Sequence, residues 1–363
     1  MVRRTARILS VVVSRMTNPA AALEHWDLQG AIAEPFGTGL INETYLVTTR
    51  AAERYVLQGL NPVFAPEVNI DIDRLTRHLA AQGRTTQRLL KTGDNQLWAR
   101  QDGRVWRLSS FVPGVCMDRL SNETQAREAG LLLGGFHAAV HDLQFEMHAQ
   151  RLGVHDTRRH LQALSDALDE HQGHRYFANI ETLAREILDT ANTLDKLPEL
   201  PDRLVHGDPK ISNLVFDEAS GKGVCMIDLD TITYMPLPLE MGDAFRSWCN
   251  PRGEDTQQSQ FRLDLFAAAI DGYAEQSAVF LLQEEWSSFV AAARIIMVEL
   301  AARFATDALQ ESYFGWNAAA FPDRSTHNQV RATGQLELYK SLTEQAGAAE
   351  DIVAAAFASV QPD

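Results

Sequence analysis

One stretch, Leu204 to Asp230 (LVHGDPKISNLVFDEASGKGVCMIDLD), limits what the chain can become more than any other. An apolar pair, Leu204-Val205, runs into the polar segment His206-Gly207-Asp208-Pro209-Lys210-Ile211-Ser212-Asn213. Leu214-Val215-Phe216 follows, then a turn rich in Asp, Ser and Gly, then Val224-Cys225-Met226-Ile227, ending on Asp228. Pro209 has no N–H to donate, and Gly221 and Gly223 suit turns. The segment therefore reads as two short strands with loops at their ends. Such a hairpin delivers three oxygen-bearing side chains to one place: Asp208, Asn213 and Asp228.

Those groups share a chemistry. A carboxylate such as Asp208 accepts or orients the proton of an attacking hydroxyl. Asn213 and Asp228 offer hard oxygen ligands, which suit Mg²⁺, a cation that takes few protein ligands and keeps phosphate oxygens in its shell. Phosphoryl transfer needs little more, because positioning and charge neutralisation supply most of the catalysis. The Asp-to-Asn spacing also matches the kinase catalytic loop H-R-D-L-x-x-x-N, with His-Gly-Asp in place of His-Arg-Asp. Two acidic turns of an ordinary hairpin are the plainer alternative, and three such groups in this order weigh against it. Asp208 and Lys210, the only lysine near the chemistry, are the catalytic candidates, with Asn213 and Asp228 as metal ligands. His206 is expected to anchor the loop backbone.

On these residues the sequence resembles the aminoglycoside phosphotransferase/choline kinase-like family of small-molecule kinases. Ile227 to Thr231 (IDLDT) and Gly242 to Arg246 (GDAFR) most resemble its N-acetylhexosamine 1-kinase-like branch, and the similarity runs from about Phe36 to Leu338. The resemblance implies an α+β, bilobal protein kinase-like fold: a small antiparallel β-sheet lobe plus one helix, then a larger, mostly helical lobe, with ATP and Mg²⁺ in the cleft. It implies transfer of the γ-phosphoryl group to a sugar, at the anomeric hydroxyl of an N-acetylhexosamine. An aminoglycoside or an amino alcohol such as choline is the alternative acceptor, and a nucleotide-binding pseudokinase the alternative outside catalysis. By the same resemblance Asp243 braces the catalytic loop, Asp230 contacts metal or substrate, and Arg303 and Tyr313 line the sugar pocket. Each has a structural alternative: a turn residue for Asp230, a helix-terminal arginine and a packed aromatic for the last two.

The totals bound the rest. At 363 residues the chain has room for two lobes, each with its own core. The expected division is an N-terminal extension without ordered structure over 1–22 (with Met16 as an alternative start), a nucleotide-binding lobe over 23–112 and a catalytic and substrate-binding lobe over 113–363. A formal charge of −15, from 33 basic against 48 acidic residues, argues against nucleic acid as a partner and suits a neutral or cationic substrate. Cys116, Cys225 and Cys249 form no C-x-x-C pair, which points to a reducing compartment and away from zinc. No apolar run approaches the ~20 residues of a membrane span, so a cytoplasmic location is expected. Nothing in the sequence specifies an oligomeric state.

In the smaller lobe, Gly37-Thr38-Gly39 lies between β-prone runs, where glycines let backbone N–H groups approach phosphates. Asn42 stands where a third glycine would, and asparagine tolerates a left-handed backbone. With the family-like GLINETY (Gly39 to Tyr45), this is expected to be the nucleotide-covering loop. The strand Arg54 to Gln58 follows. In most kinases that strand carries the lysine that pairs with the phosphates; here the position is Gln58, in keeping with the resemblance to the hexosamine kinase-like branch, which tends to read YVLQ, and no lysine precedes Lys91. Mg²⁺, the loop N–H groups or an arginine must then neutralise the triphosphate.

Val68, Ile72, Leu75 and Leu79 predict a helix ending near Gln82-Gly83. Strands are expected over 87–90, 96–100 and 104–111, the last two joined at Asp102-Gly103, with Trp98 and Trp106 in the core. After the Pro113-Gly114 linker the pattern turns helical. One helix is expected from about Asn122 to Leu143, its Gly134-Gly135 serving close packing, with one of His137 and His141 packed and the other exposed. Leu161, Leu164 and Leu168 mark a second helix and Ile180, Leu183 and Ile187 a third, while Phe289 to Phe304 is a long core stripe.

Overall fold

Along Arg54-Tyr55-Val56-Leu57-Gln58-Gly59 successive side chains point to opposite faces, so Leu57 and Gln58 face opposite ways and the strand is committed to one apolar face. The computed structural model describes residues 18–37, 41–144, 146–150 and 153–360. Its chain divides into two compact units, one holding residues up to Val63 and Leu89–Ser110, the other Phe64–Arg88 and everything from Phe111 on.

The first unit opens with a short helix, α1 (Pro19–Ala22), capped by the Asn18 side chain, and a 3₁₀ turn, Leu23–Trp26. The extension expected over 1–22 falls outside the described residues as far as Thr17; beyond it, Ala22 and Leu23 are buried in the unit's core. The strands are β1 (Ile32–Pro35), β2 (Glu43–Thr48), β3 (Arg54–Gly59), β4 (Leu89–Leu90), β5 (Ala99–Gln101) and β6 (Arg104–Ser110). They form one antiparallel sheet in the order β1-β2-β3-β6-β4, with β5 also on β6. Asp102 and Gly103, both with positive φ (54° and 80°), make the tight turn between β5 and β6 that the Asp-Gly pair predicts. Val47, Leu57, Trp106 and Leu108 meet Trp26 on one face of this sheet. Trp106 is thus a core residue, as its strand position predicts.

The second unit begins with α2 (Val68–Ala81), the helix expected from its apolar spacing. It belongs with the helical residues rather than with the small sheet, and its buried Asp71 carboxylate holds the backbone amides of His148 (3.0 and 2.9 Å) and Ala149 (3.0 Å). After β7 (Val115–Cys116) come α3 (Glu123–Val140), α4 (Thr157–Glu170) and α5 (Phe177–Ala191). Gly134 of α3 admits the close neighbour its sequence suggested: a Cβ there would lie 2.9 Å from the Tyr273 carbonyl oxygen. His137 is buried and His141 exposed.

Four short strands follow: β8 (Asp202–Val205), β9 (Leu214–Phe216), β10 (Gly223–Met226) and β11 (Thr233–Pro236). β9 and β10 are the expected hairpin, with β7 added on the far side of β9, while β8 pairs with β11. The rest is helical: α6 (Leu237–Trp248), α7 (Leu263–Ser277), α8 (Gln283–Trp286), α9 (Phe289–Gln310), α10 (Arg324–Thr343) and α11 (Ala346–Val360). The apolar stripe of α9 is buried throughout, with Phe289, Met297 and Phe304 in the core. Among the described residues no helix is long and apolar enough to cross a membrane.

Candidate active site

The loop between β8 and β9 is held from several sides before any substrate is considered. Gly207 takes φ 82°, and a Cβ on it would lie 2.1 Å from the Thr231 carbonyl oxygen, so only glycine fits. His206 is fully buried; its Nε2–H donates to the Ile227 carbonyl (2.9 Å) and its Nδ1 accepts from the Asp208 amide (3.3 Å). This is the anchoring role expected of it.

Helix α6 supplies the rest of the frame. Both oxygens of the buried Glu240 carboxylate are used: Oε1 accepts from the His206 amide (2.9 Å) and Oε2 from the Gly207 amide (2.7 Å). His137 donates to Oε1 as well, at 3.1 Å. Two turns further along, Ser247 Oγ accepts from the Ile211 amide (3.1 Å) and the Trp248 indole donates to the Pro209 carbonyl (2.9 Å). Burial alone would raise the Glu240 carboxyl, but His137, His206 and the Gly207 amide outweigh it and keep the group ionised.

The sequence assigned this bracing to Asp243, and here the structure differs. Asp243 instead accepts from Arg246 Nε (2.7 Å), and Arg246 also pairs with Glu254. The physical reason is competition for its oxygens: three residues on from Glu240, Asp243 lies on much the same face of α6, but the buried Arg246 guanidinium at i, i+3 takes its carboxylate. Sequence reasoning missed Glu240, whose bonds go to residues far from it along the chain.

On this frame the polar groups meet. Lys210 Nζ lies 2.5 Å from Asp208 Oδ2, and Asn213 Nδ2 donates both to Oδ2 (3.1 Å) and to the Asp208 carbonyl (2.9 Å). The Ile227 amide donates to the Asn213 carbonyl (2.9 Å), which draws Asp228 beside Asn213. Asp228 sits in the left-handed region (φ 63°), an uncommon state for a non-glycine residue and one found where a side chain must be aimed.

Charge follows geometry. Burial pushes the Asp208 carboxyl up, but Lys210, His206 and Arg246 hold it below the usual carboxylate range. Burial works against the Lys210 ammonium, yet Asp208 and Asp228 hold it above the ordinary lysine value. The Asn213 amide, with its nitrogen committed to Asp208, keeps its oxygen as a neutral ligand, and the Asp228 carboxylate, whose charge reaches Lys210, is the second oxygen-bearing group. That oxygen pair fits a hard divalent cation that draws the rest of its shell from water and phosphate.

The other expected residues lie as follows. Asp230 is buried in a 3₁₀ turn, Leu229–Thr231. Arg303, on α9, stands 5.7 Å over the Phe314 ring and 3.9 Å from Glu299. Tyr313 packs edge-on against the same Phe314 and is 57% exposed. Its amide is fixed by the buried Asp307 carboxylate (2.7 Å), which also holds the amides of Ser312 (2.8 Å) and Phe314 (2.9 Å). Arg303 is not helix-terminal, and the two residues meet around one ring. Glu299 further holds His155 (2.9 Å) and Thr157 (2.6 Å), pairings the sequence did not announce.

In the first unit, Gly37 has φ 79°, while Thr38 and Gly39 lie outside the described residues. Asn42 does not adopt the left-handed backbone its place suggested; its Oδ1 accepts from the Asn61 amide (2.9 Å), fastening the loop's end to the chain after β3. Gln58 points to the face opposite Leu57, where its Nε2 donates to Thr44 Oγ1 (3.3 Å) and its Oε1 accepts from Arg107 Nε (2.9 Å).

Comparison with known proteins gives this arrangement a context. A microcompartment-associated aminopropanol kinase superposes with TM-score 0.60 at 14% identity, covering 91% of this chain and 97% of its own. Amicoumacin kinase hAmiN, solved with AMP-PNP, Ca²⁺ and Ami, gives 0.59 at 12%, covering 84% and 87%. Choline kinase from Cryptosporidium parvum Iowa II gives 0.54 at 11%, covering 87% and 91%. At these identities the likeness establishes the α+β, kinase-like fold. Family membership comes from the sequence itself: residues 32–277, well over half of the chain, match the phosphotransferase enzyme family model (APH), and the chain belongs to that family and is a phosphotransferase.

Proposed function

We propose that the chain transfers the γ-phosphoryl group of ATP to a hydroxyl of a small molecule, with Asp208 as the catalytic base. The observation that carries this is the convergence of Lys210 and Asn213 on one oxygen, Oδ2, of an Asp208 held ionised. With Oδ2 so engaged, Oδ1 is the oxygen for the acceptor's proton. That proton passes to Asp208 as the acceptor oxygen bonds to phosphorus and the bond to ADP breaks. Lys210 offsets negative charge on the transferring group. Asn213 and Asp228 hold Mg²⁺, which supplies charge neutralisation at the phosphates. In this reading residues 23–112 bind the nucleotide, through Gly37, Thr38, Gly39, Asn42 and Gln58, and residues 113–363 carry the catalytic groups and the acceptor.

For the acceptor we propose the anomeric hydroxyl of an N-acetylhexosamine, with Asp230, Arg303 and Tyr313 at the substrate. Support comes from the sequence likeness in IDLDT and from the meeting of Arg303 and Tyr313 at Phe314. Amino alcohols and aminoglycosides form the second reading, favoured by the names of the aminopropanol and choline kinases and by the formal charge of −15. ADP release measured across N-acetylhexosamines, amino alcohols and aminoglycosides separates the two. Phosphorus NMR of the product identifies an anomeric phosphate. Asp208→Asn is expected to lower turnover by about a thousandfold or more, and chelation of divalent cations to abolish it. An Asp208→Asn enzyme with near-normal turnover would sink the assignment.

A further inference from the structure

Arg107 on β6 lies directly opposite Gln58 on β3, and Gln58 directly opposite Thr44 on β2. Residues facing each other across an antiparallel pair project to the same side, so the three side chains form a row across the sheet. This is the face opposite Leu57, Leu108 and Trp106. The row is joined by hydrogen bonds whose direction is settled. A guanidinium only donates, so Arg107 Nε–H donates to Gln58 Oε1 (2.9 Å), which leaves the Gln58 amide nitrogen to donate to Thr44 Oγ1 (3.3 Å). Arg107 is only 4% exposed. Its guanidinium thus places a permanent positive charge on the sheet face that Gln58 and Thr44 share.

A phosphotransferase that draws on a nucleoside triphosphate must meet several negative charges. The Gln58 amide can donate a hydrogen bond but carries no charge. We propose that Arg107 supplies the cationic contact to the nucleotide phosphates, with Gln58 as the positioning residue that holds its guanidinium. The inference rests on the nucleotide reading of the first unit given above. The guanidinium is a planar fork of five N–H donors matched to phosphate oxygens. Anchoring it at Nε fixes the plane of that fork, and Thr44 keeps the Gln58 amide from turning over. The row also accounts for glutamine at position 58: a lysine there would set an ammonium against the Arg107 guanidinium at hydrogen-bond range. Charge at 58 and charge at 107 are alternatives, and this chain has the second.

The test is calorimetric binding of ATP, ADP and adenosine to the full chain. Arg107→Gln is expected to weaken ATP and ADP by about tenfold or more and to leave adenosine unchanged. Gln58→Lys alone is expected to weaken ATP too, whereas Gln58→Lys combined with Arg107→Gln recovers most of the lost affinity. Equal losses for ATP and adenosine would reduce Arg107 to a structural residue and overturn the inference, as would unchanged ATP binding. Wild-type protein that binds no nucleotide would overturn the nucleotide reading itself, and the inference with it. Should the variants not fold, a solved complex of the wild-type chain with ADP decides: Arg107 within about 3.5 Å of a phosphate oxygen supports the proposal, and a guanidinium turned away from the phosphates ends it.

Discussion

At Asp208 the decisive contact is a single ion pair. Lys210 Nζ sits 2.5 Å from Oδ2, and its charge is a leading cause of the lowered Asp208 carboxyl. Lys210→Met removes that cause, so the acid limb of the kcat/KM profile is expected to move to higher pH, with turnover down by about ten- to a hundredfold. A pH–rate profile with an unmoved acid limb would show that Lys210 does not tune the base. Glu240 offers a stability counterpart. Its carboxyl is held below its ordinary value of 4.5, so its contribution is complete above that pH and is lost as pH falls through the folded value. Glu240→Ala strands the His206 and Gly207 amides and is expected to cost about 3 kcal/mol or more, Glu240→Gln less, with a stability profile flatter in acid, as chemical denaturation at several pH values would report. Asp208, Asn213 and Asp228 were legible because the chemistry lies in one short stretch with fixed spacing. Glu240 and Arg107 were not, since each acts through contact with a residue far along the chain.

The element that matters most at the site is α6, which carries no proposed chemical group. It fixes the loop through Glu240, Ser247 and Trp248, so the loop's shape is set by a helix that follows it in sequence. Against that frame Gly207 has no room to adjust. Gly207→Ala would place a Cβ 2.1 Å from the Thr231 carbonyl oxygen at φ 82°. It is expected to cost roughly 2 kcal/mol or more and to depress turnover with little change in nucleotide binding, which thermal unfolding and calorimetry together would check. Elements with a plain period were readable in advance: α2, α3 and the hairpin of β5 and β6 lie within a few residues of where apolar spacing and Asp-Gly placed them. Which side chain on a helix face makes the contact was harder. Asp243 was expected to brace the loop because the family likeness placed an aspartate there, whereas Arg246 takes the Asp243 carboxylate and Glu240 bonds the loop.

Over the whole molecule the chain order and the spatial units do not coincide. The small sheet is assembled from residues up to Val63 and from Leu89–Ser110, and the segment between them belongs to the helical unit. A fragment spanning 18–112 therefore carries α2 without α3 and the turn Leu229–Thr231, on which it packs. It is expected to aggregate or to lack a cooperative unfolding transition, although it contains every strand of the small sheet. A soluble fragment with a sharp thermal transition would contradict this.

The same arrangement bears on how the chain is made. Helix α2 packs on α3 and on the turn Leu229–Thr231, and the latter is synthesised long after it. At about 5–20 residues per second, its apolar side emerges from the ribosome and waits roughly ten seconds or more for its last partner. During translation, then, this helix is the stretch a chaperone would be expected to grip, and slowing elongation before Leu229 would lengthen the exposure.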